Sequence, residues 1–384
     1  MIDGRYWKFL VSGLVSLGIC TQLSAQVALE EEAVGVQYSI LPVVGYKSDL
    51  GFMGGGLLQR IDYGEGVRPF LNSTSVEMTV STKGHLVSVF DHERLNSLGM
   101  NVRSRVRIEG LRILRNTYFG IGNDTPFSAS SYEDGYYFFE ERAVRLQYWG
   151  RKNLMEYGKY GQVDGHFLAT FSYNEPVSRG SESLYGQDLP PGFEGGWMNQ
   201  AGLGLIVDSR DSEFDPSVGF RLETNITLSG SWLGSTYGFA DYFGEIRGYF
   251  SPFTDLVIAQ KLGVQHVSGD VPFWEMPALG NELGLRGYAS NRFRGRSSII
   301  HIVEMRSWLF GLYDDQLRFG GQLFMDTGRV FSRDEGIGDI TSGLKQTFGI
   351  GGAMSVVNPD FVFRGDVAFS EDIYRVYFGV GYLF

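Results

Sequence analysis

Apolar and polar residues alternate along much of this chain. In FRLETNITLSG, residues 220–230, Phe220, Leu222, Thr224, Ile226 and Leu228 fall on one side, and Arg221, Glu223, Asn225, Thr227 and Ser229 on the other. A period of two places these sets on opposite faces of an extended strand. A soluble sandwich would carry the same stripe, so the number and spacing of such segments must decide. Strands are expected near 36–46, 50–63, 70–82, 84–92, 98–109, 135–150, 160–174, 197–208, 218–230, 237–250, 254–268, 298–310, 316–330, 345–356, 360–369 and 374–384. These number about sixteen, an even count, and many are long enough to cross a bilayer at a tilt. The longer connections, 110–134, 177–196, 269–297 and 331–344, alternate with short turns such as SPF at 251–253 and NPD at 358–360. The pattern predicts an all-β fold: a transmembrane antiparallel β-barrel over 36–384, with long loops outside and short turns and both termini in the periplasm.

Composition agrees with this and removes alternatives. Glycine is frequent at 53 residues and aromatics reach 15%, while mean hydropathy is near zero. Beyond the N-terminus no apolar run reaches the roughly 18 residues of a membrane helix. Arg5 and Lys8 precede the apolar stretch FLVSGLVSLGIC, and LSAQ offers cleavage after Ala25, so 1–25 reads as an export signal and 26–35 as a short periplasmic segment. A lipoprotein signal ending at Cys20 is the rival reading, and Ile19 before that cysteine argues against it. Cys20 is the only cysteine, so the mature chain has no disulfide. The net charge of −11 becomes −12 after the signal is removed, which argues against nucleic acid as a partner.

Two segments stand out within the stripe. The last expected strand, YRVYFGVGYLF, puts Tyr374, Val376, Phe378, Val380, Tyr382 and Phe384 on one face. A strand ending flush on Phe384 resembles the signal by which barrel-assembly machinery recognises its clients. The loop between the eleventh and twelfth strands contains NELGLRGYASNRFRGR, 281–296, with four arginines and one acid. In the next two strands Glu304 and Arg306 share a face with Ile300 and Ile302, and Asp326 shares one with Arg318 and Gln322. Charges facing lipid cost about 2–4 kcal/mol at mid-depth for Arg or Lys and less for acids, so this face points into the lumen. A loop folded back inside would bring Arg286 to Glu304 and Asp326, where a guanidinium forms bidentate bonds. Gly287 would allow the sharp turn, and Tyr288 would pack on the wall. Alternatively Arg286 is solvated in an external loop and Asp326 pairs with another lumen arginine. The remaining Arg292, Arg294 and Arg296 would meet acids or lipopolysaccharide phosphates near the outer rim.

The loop stretch LRGY, 285–288, resembles the motif of the BamA/TamA superfamily of outer-membrane assembly and translocation barrels. LFMDTGRVF, 323–331, with Asp326 two residues before Gly328, resembles a strand of that family. VDSRDSEFDPSVGFRLE, 207–223, resembles its periplasmic turn. YFGIGNDT, 118–125, and LPVVGYKSDLGFMGGG, 41–56, are similar as well. The resemblance covers essentially 36–384 and implies that the loop arginine contacts acids on neighbouring strands. It also implies a role in outer-membrane protein assembly or translocation. Most relatives that insert or translocate proteins carry periplasmic POTRA domains before the barrel, and 26–35 is too short for one, so the chain is expected to be a barrel-only member that works with accessory subunits.

Catalysis finds little support. The five histidines, His85, His92, His166, His266 and His301, have no metal-ligand spacing, and no Ser/His/acid constellation is evident. GIGGAM, 349–354, is glycine-rich but has no following helix to bind phosphate. No enzyme activity, cofactor or metal is expected. The expected partners are outer-membrane lipids and lipopolysaccharide, nascent outer-membrane proteins, and periplasmic or lipoprotein subunits. A passive channel and a structural envelope subunit are the alternative functions. The closure of the barrel is the last candidate: Pro42 in the first strand lacks an N–H, and Gly379 and Gly381 in the last lack packing side chains, so this seam is expected to be the weakest pairing.

Overall fold

The computed structural model describes residues 35–384 apart from 64–69, 98–100, 214, 283, 314–315, 333–334, 336–339 and 357–361. The expected signal 1–25 and the segment 26–34 lie outside the described residues. The chain forms β1 (Gly35–Lys47), β2 (Gly51–Tyr63), β3 (Asn72–Ser81), β4 (His85–Ser97), β5 (Val102–Thr117), β6 (Phe138–Tyr157), β7 (Gly161–Val177), β8 (Gly196–Asp208) and β9 (Gly219–Ser229). It continues with β10 (Phe239–Phe253), β11 (Leu256–Gly269), the short β12 (Ala278–Leu279) and β13 (Phe293–Arg294), then β14 (Ser297–Leu312), β15 (Leu317–Phe331), β16 (Lys345–Val356), β17 (Val362–Phe369) and β18 (Tyr374–Val380). All but β12 and β13 join in sequence order, antiparallel, into one closed sixteen-stranded barrel, whose closing neighbours are β1 and β18.

The alternation that marks the strands is the alternation of the two wall faces. In β9, Arg221, Glu223, Asn225, Thr227 and Ser229 are buried inside, and Phe220, Leu222, Ile226 and Leu228 are exposed outside. A membrane barrel inverts a soluble protein, because lipid accepts apolar side chains and the lumen must hold the charges. Many of those charges are paired: Arg105 with Asp91, Arg145 with Glu109 and Glu141, and Arg247 with Glu245.

Several boundaries differ from the pattern. β5 runs on to Thr117, through ILRNT, and takes the first part of the expected loop 110–134 into the wall. SPF at 251–253 belongs to β10, where a bulge between Phe250 and Phe253 moves the turn to 254–255. NPD at 358–360 lies outside the described residues. The largest change is at the end. β18 stops at Val380, and Gly381 adopts φ 78°, a left-handed conformation open to glycine. Its N–H still donates to Val362 O at 2.7 Å, but Tyr382–Phe384 leave the wall.

One end of the barrel is covered by the longer connections. They include helix α1 (Ala129–Glu133) and helix α2 (Leu184–Asp188), each capped by a serine hydroxyl. Tyr118, Phe139, Tyr185 and Phe273 pack together there with edge-on and stacked rings. This apolar lid includes Phe273 of the segment 270–296, which enters the lumen beyond it.

Candidate functional site

The segment 270–296 leaves β11, forms the β12–β13 hairpin and carries Arg286 to the inner face of β14 and β15. Arg286 is fully buried. Its Nη1 donates to Glu304 Oε1 at 2.6 Å, its Nη2 to Asp326 Oδ1 at 2.6 Å, and its Nε to Asp326 Oδ2 at 2.9 Å. Its backbone N–H also donates to Asp326 Oδ2, at 2.9 Å. One side chain thus ties the loop to two strands through both ionic and directional bonds. Burial opposes the charge, but Asp326 and Glu304 outweigh it and hold the guanidinium above its ordinary value. Arg306 lies two residues along β14 and donates to the second oxygen of Glu304, from Nε at 2.9 Å and Nη2 at 2.7 Å.

The glycines make the approach possible. Gly287 has φ 97°, and a Cβ there would lie 3.0 Å from the carbonyl carbon of Phe369. At Gly328 a Cβ would stand 2.7 Å from Ile299 O and 3.2 Å from Leu279 of the loop. Tyr288 is buried with Leu279, Leu285, Phe293 and Val330, edge-on to Phe293. The site has a further member that the sequence reading missed. The Phe324 ring lies 3.4 Å from the Arg286 guanidinium carbon. It occupies the space that a side chain at Gly349 would fill, since a Cβ there would be 2.0 Å from Phe324 Cζ. The glycine-rich GIGGAM was the available signal, and its meaning depends on which strand lies beside it.

The other arginines of the loop also turn inward. Arg292 donates to Asp372 at 2.6 Å and to the hydroxyl and carbonyl of Thr125. Arg294 donates to the carbonyls of Phe273 and Met276, and burial pushes its guanidinium down to about 10. Both are buried; Arg292 meets an acid, as one of the two expectations had it, and Arg294 meets main-chain carbonyls instead. Arg296 is partly exposed and donates to Gly269 O at 2.8 Å.

The same loop reaches the closing strands. Among the described residues β1 and β18 share one registered position, Lys47↔Tyr377. Ser48 adds two bonds to the backbone of Val376. Lys47 Nζ donates to Glu282 of the loop at 2.8 Å, and the Gly287 N–H donates to the Tyr377 hydroxyl at 3.0 Å. Asp49 accepts from Ser290 at 3.0 Å and pairs with Arg375 at 2.6 Å. The loop therefore holds both sides of the seam at its loop-covered end. Pro42 lies in the β1 stretch without a registered β18 partner and pairs only with Gly56 of β2. Gly379 pairs with Arg364 of β17.

The aromatic residues of the last segment separate. Tyr374 and Phe378 are exposed on the outer wall. Beyond the turn at Gly381, the chain crosses the lumen side to β14, β11 and β10. Phe384 is buried against Tyr249, Ala259 and Ile302, and Arg306 stands 4.3 Å from the Tyr382 ring centre and 5.1 Å from that of Phe384. A single strand face carrying all four aromatics is thus corrected: a left-handed glycine reverses which face the last residues see.

A closed polar-lumen barrel of sixteen strands, with an arginine loop latched to its inner wall, defines an outer-membrane barrel. Residues 169–384, over half of the chain, match the Omp85 superfamily domain, and the chain belongs to that superfamily. The fold is similar to that of BamA from Haemophilus ducreyi lacking POTRA domains 1–3, with TM-score 0.61 and 13% identity over 90% of this chain and 70% of that one. CdiB from Escherichia coli has TM-score 0.58 and 11% identity over 93% and 69%. CdiB from Acinetobacter baumannii has TM-score 0.55 and 10% identity over 91% and 66%. No curated protein matches the chain by sequence. The protein is integral to the outer membrane of a Gram-negative bacterium.

Proposed function

We propose that this barrel assembles or translocates outer-membrane proteins, together with partner proteins that supply periplasmic domains. The observation that carries this reading is the seam, joined at one registered position and held there by the loop that Arg286 latches. In a bilayer, unpaired backbone groups cost several kcal/mol each, so an incompletely paired edge is a place where a client strand gains by adding on. Closure at one end keeps the barrel intact, while the rest of β1 offers its edge. A passive channel is the weaker reading, because the loop, the lid and the chain's last residues occupy the lumen.

The test is insertion of an unfolded outer-membrane barrel into lipid vesicles, with and without the protein and its co-purifying periplasmic subunits. Faster folding of the client in vesicles that contain the protein is expected. Client folding at the rate of empty vesicles, together with large single-channel conductance, would replace this reading with the channel.

A further inference from the structure

The outer face of β5, β6 and β7 turns from apolar to charged toward the loop-covered end. Ile108 on β5, Val144 and Leu146 on β6 and Phe171 on β7 are exposed on the lipid side. Further toward the loops, the outward positions are Arg112, Arg142 and Glu175, registered across the three strands as Arg112↔Arg142 and Arg142↔Glu175. The Arg112 and Arg142 side chains keep 54% and 45% of their surface exposed. Tyr173, opposite Val144, lies edge-on to Trp197 of β8 with ring centres 5.3 Å apart. Tyr and Trp gather where hydrocarbon gives way to headgroups, and charges facing hydrocarbon are costly. Both observations put these arginines at headgroup level, in the outer leaflet, since the long connections lie outside.

Like charges directly opposite on neighbouring strands repel, and Glu140 holds this pair together. Its Oε1 accepts from Nε of Arg112 at 2.8 Å and from Nε of Arg142 at 2.7 Å. Arg142 Nη1 also reaches Glu175, at 3.4 Å. With each Nε engaged, the outer guanidinium edges are left open to the leaflet. A second pair lies beyond the first. Arg115 is three residues further along β5, on the order of 10 Å at the rise of a strand, with its guanidinium 4.1 Å from the Phe138 ring centre. Arg179 is exposed and donates to the carbonyl of Leu114. Partial burial and the like charge of Arg115 hold its guanidinium below its ordinary value, so the two arginines feel each other. The four arginines exceed the two carboxylates among them, Glu140 and Glu175. Below the first pair, Gly110 lies between Ser88 and Val144 in register, and a Cβ on it would meet nothing within 4 Å. The wall therefore has a shallow trough under the arginines.

We propose that the outer wall of β5–β7 binds the bis-phosphorylated disaccharide headgroup of lipopolysaccharide, with one phosphate on Arg112 and Arg142, the other on Arg115 and Arg179, and an acyl chain over Gly110. A guanidinium matches phosphate oxygens with two parallel bonds. Two separated arginine pairs select a headgroup with a phosphate at each end over a lipid with a single phosphate. The site stands on the leaflet that the loop-covered end meets and is independent of the assembly reading.

The experiment titrates the full-length protein, in micelles of an uncharged detergent, with bis-phosphorylated lipid A, monophosphoryl lipid A and phosphatidylglycerol, and reads bound lipid by native mass spectrometry. Wild type is expected to bind bis-phosphorylated lipid A about tenfold more tightly than either other lipid, a difference of one decade in Kd. The double variants Arg112→Ala/Arg142→Ala and Arg115→Ala/Arg179→Ala should each lose that preference. Lys152→Ala, which removes an exposed cation at the other end of β6, should keep it. Heat-modifiable migration on gels checks that each barrel is folded. Equal affinity of wild type and both double variants would overturn the site. So would phosphatidylglycerol binding as tightly as bis-phosphorylated lipid A, or Lys152→Ala losing as much as the double variants, because either result means attraction to any anionic lipid. Should the alanine variants not fold, Arg112→Lys/Arg142→Lys keeps the charge and removes the paired donors. Weaker binding of bis-phosphorylated lipid A by that variant supports the site, and unchanged binding sinks it.

Discussion

Two junctions of the barrel wall meet the same loop and differ in strength. β14 and β15 are registered from Ser297↔Phe331 to Leu312↔Leu317, with one bulge near Trp308. Among the described residues β1 and β18 share only Lys47↔Tyr377. The loop is anchored to the strong junction through buried ion pairs of Arg286, and it reaches the weak one through Glu282 and Gly287. The difference shows how a barrel can keep a poorly paired closure. The seam's continuity is supplied from the lumen by a loop whose own position is fixed on a fully paired wall.

The comparison can be broken most severely at Arg286. Arg286→Ala leaves Glu304 and Asp326 buried with a lost partner, a loss of about 3–5 kcal/mol locally. The barrel should still show heat-modifiable migration on gels, while the loop becomes protease-sensitive, conductance rises and function is lost. Wild-type behaviour in all of these would refute the latch. Glu304→Ala and Asp326→Ala should give related defects.

Locking the weak junction sharpens the contrast without touching the latch. Gly45→Cys with Gly379→Cys sits two residues along the antiparallel register from Lys47↔Tyr377. Oxidation should stop function in cells that depend on the protein, and a reductant should restore it; normal growth with the disulfide formed would rule out seam opening.

Smaller effects follow at the contacts between loop and seam. Gly287→Val forces a branched residue into a left-handed conformation beside the backbone of Phe369 and Ser370, costing about 1–3 kcal/mol. Faster hydrogen exchange in 285–290 should report it. Tyr377→Phe removes the acceptor of the Gly287 N–H and should cost about 0.5–1.5 kcal/mol. It should raise spontaneous conductance modestly and leave the barrel's thermal transition within a few degrees of wild type.

Much of the site was legible in the sequence because it depends on strand faces. Glu304, Arg306 and Asp326 fall on lumen positions by counting in twos, and of the long loops only 269–297 carries an arginine followed by a glycine and an aromatic residue. What could not be read was where the loop's other contacts fall. Lys47 and Glu282 lie 235 residues apart, and Phe324 finds its space only because Gly349 is its neighbour across the β15–β16 pair. The aromatic end misled for a related reason. Counting in twos assumes that the strand continues, and Gly381 ends it.

The sequence by itself determined the sixteen strands, the face that most residues within them present and the chemistry able to latch the loop, since a period of two is a local property of extended chain. The tertiary structure alone decided that the closure is registered at one position, that the loop clasps it, and that Phe384 lies in the lumen. Those outcomes depend on how the first and last strands meet after the whole sheet has curved round, and on a left-handed turn at a glycine. No local pattern encodes either one.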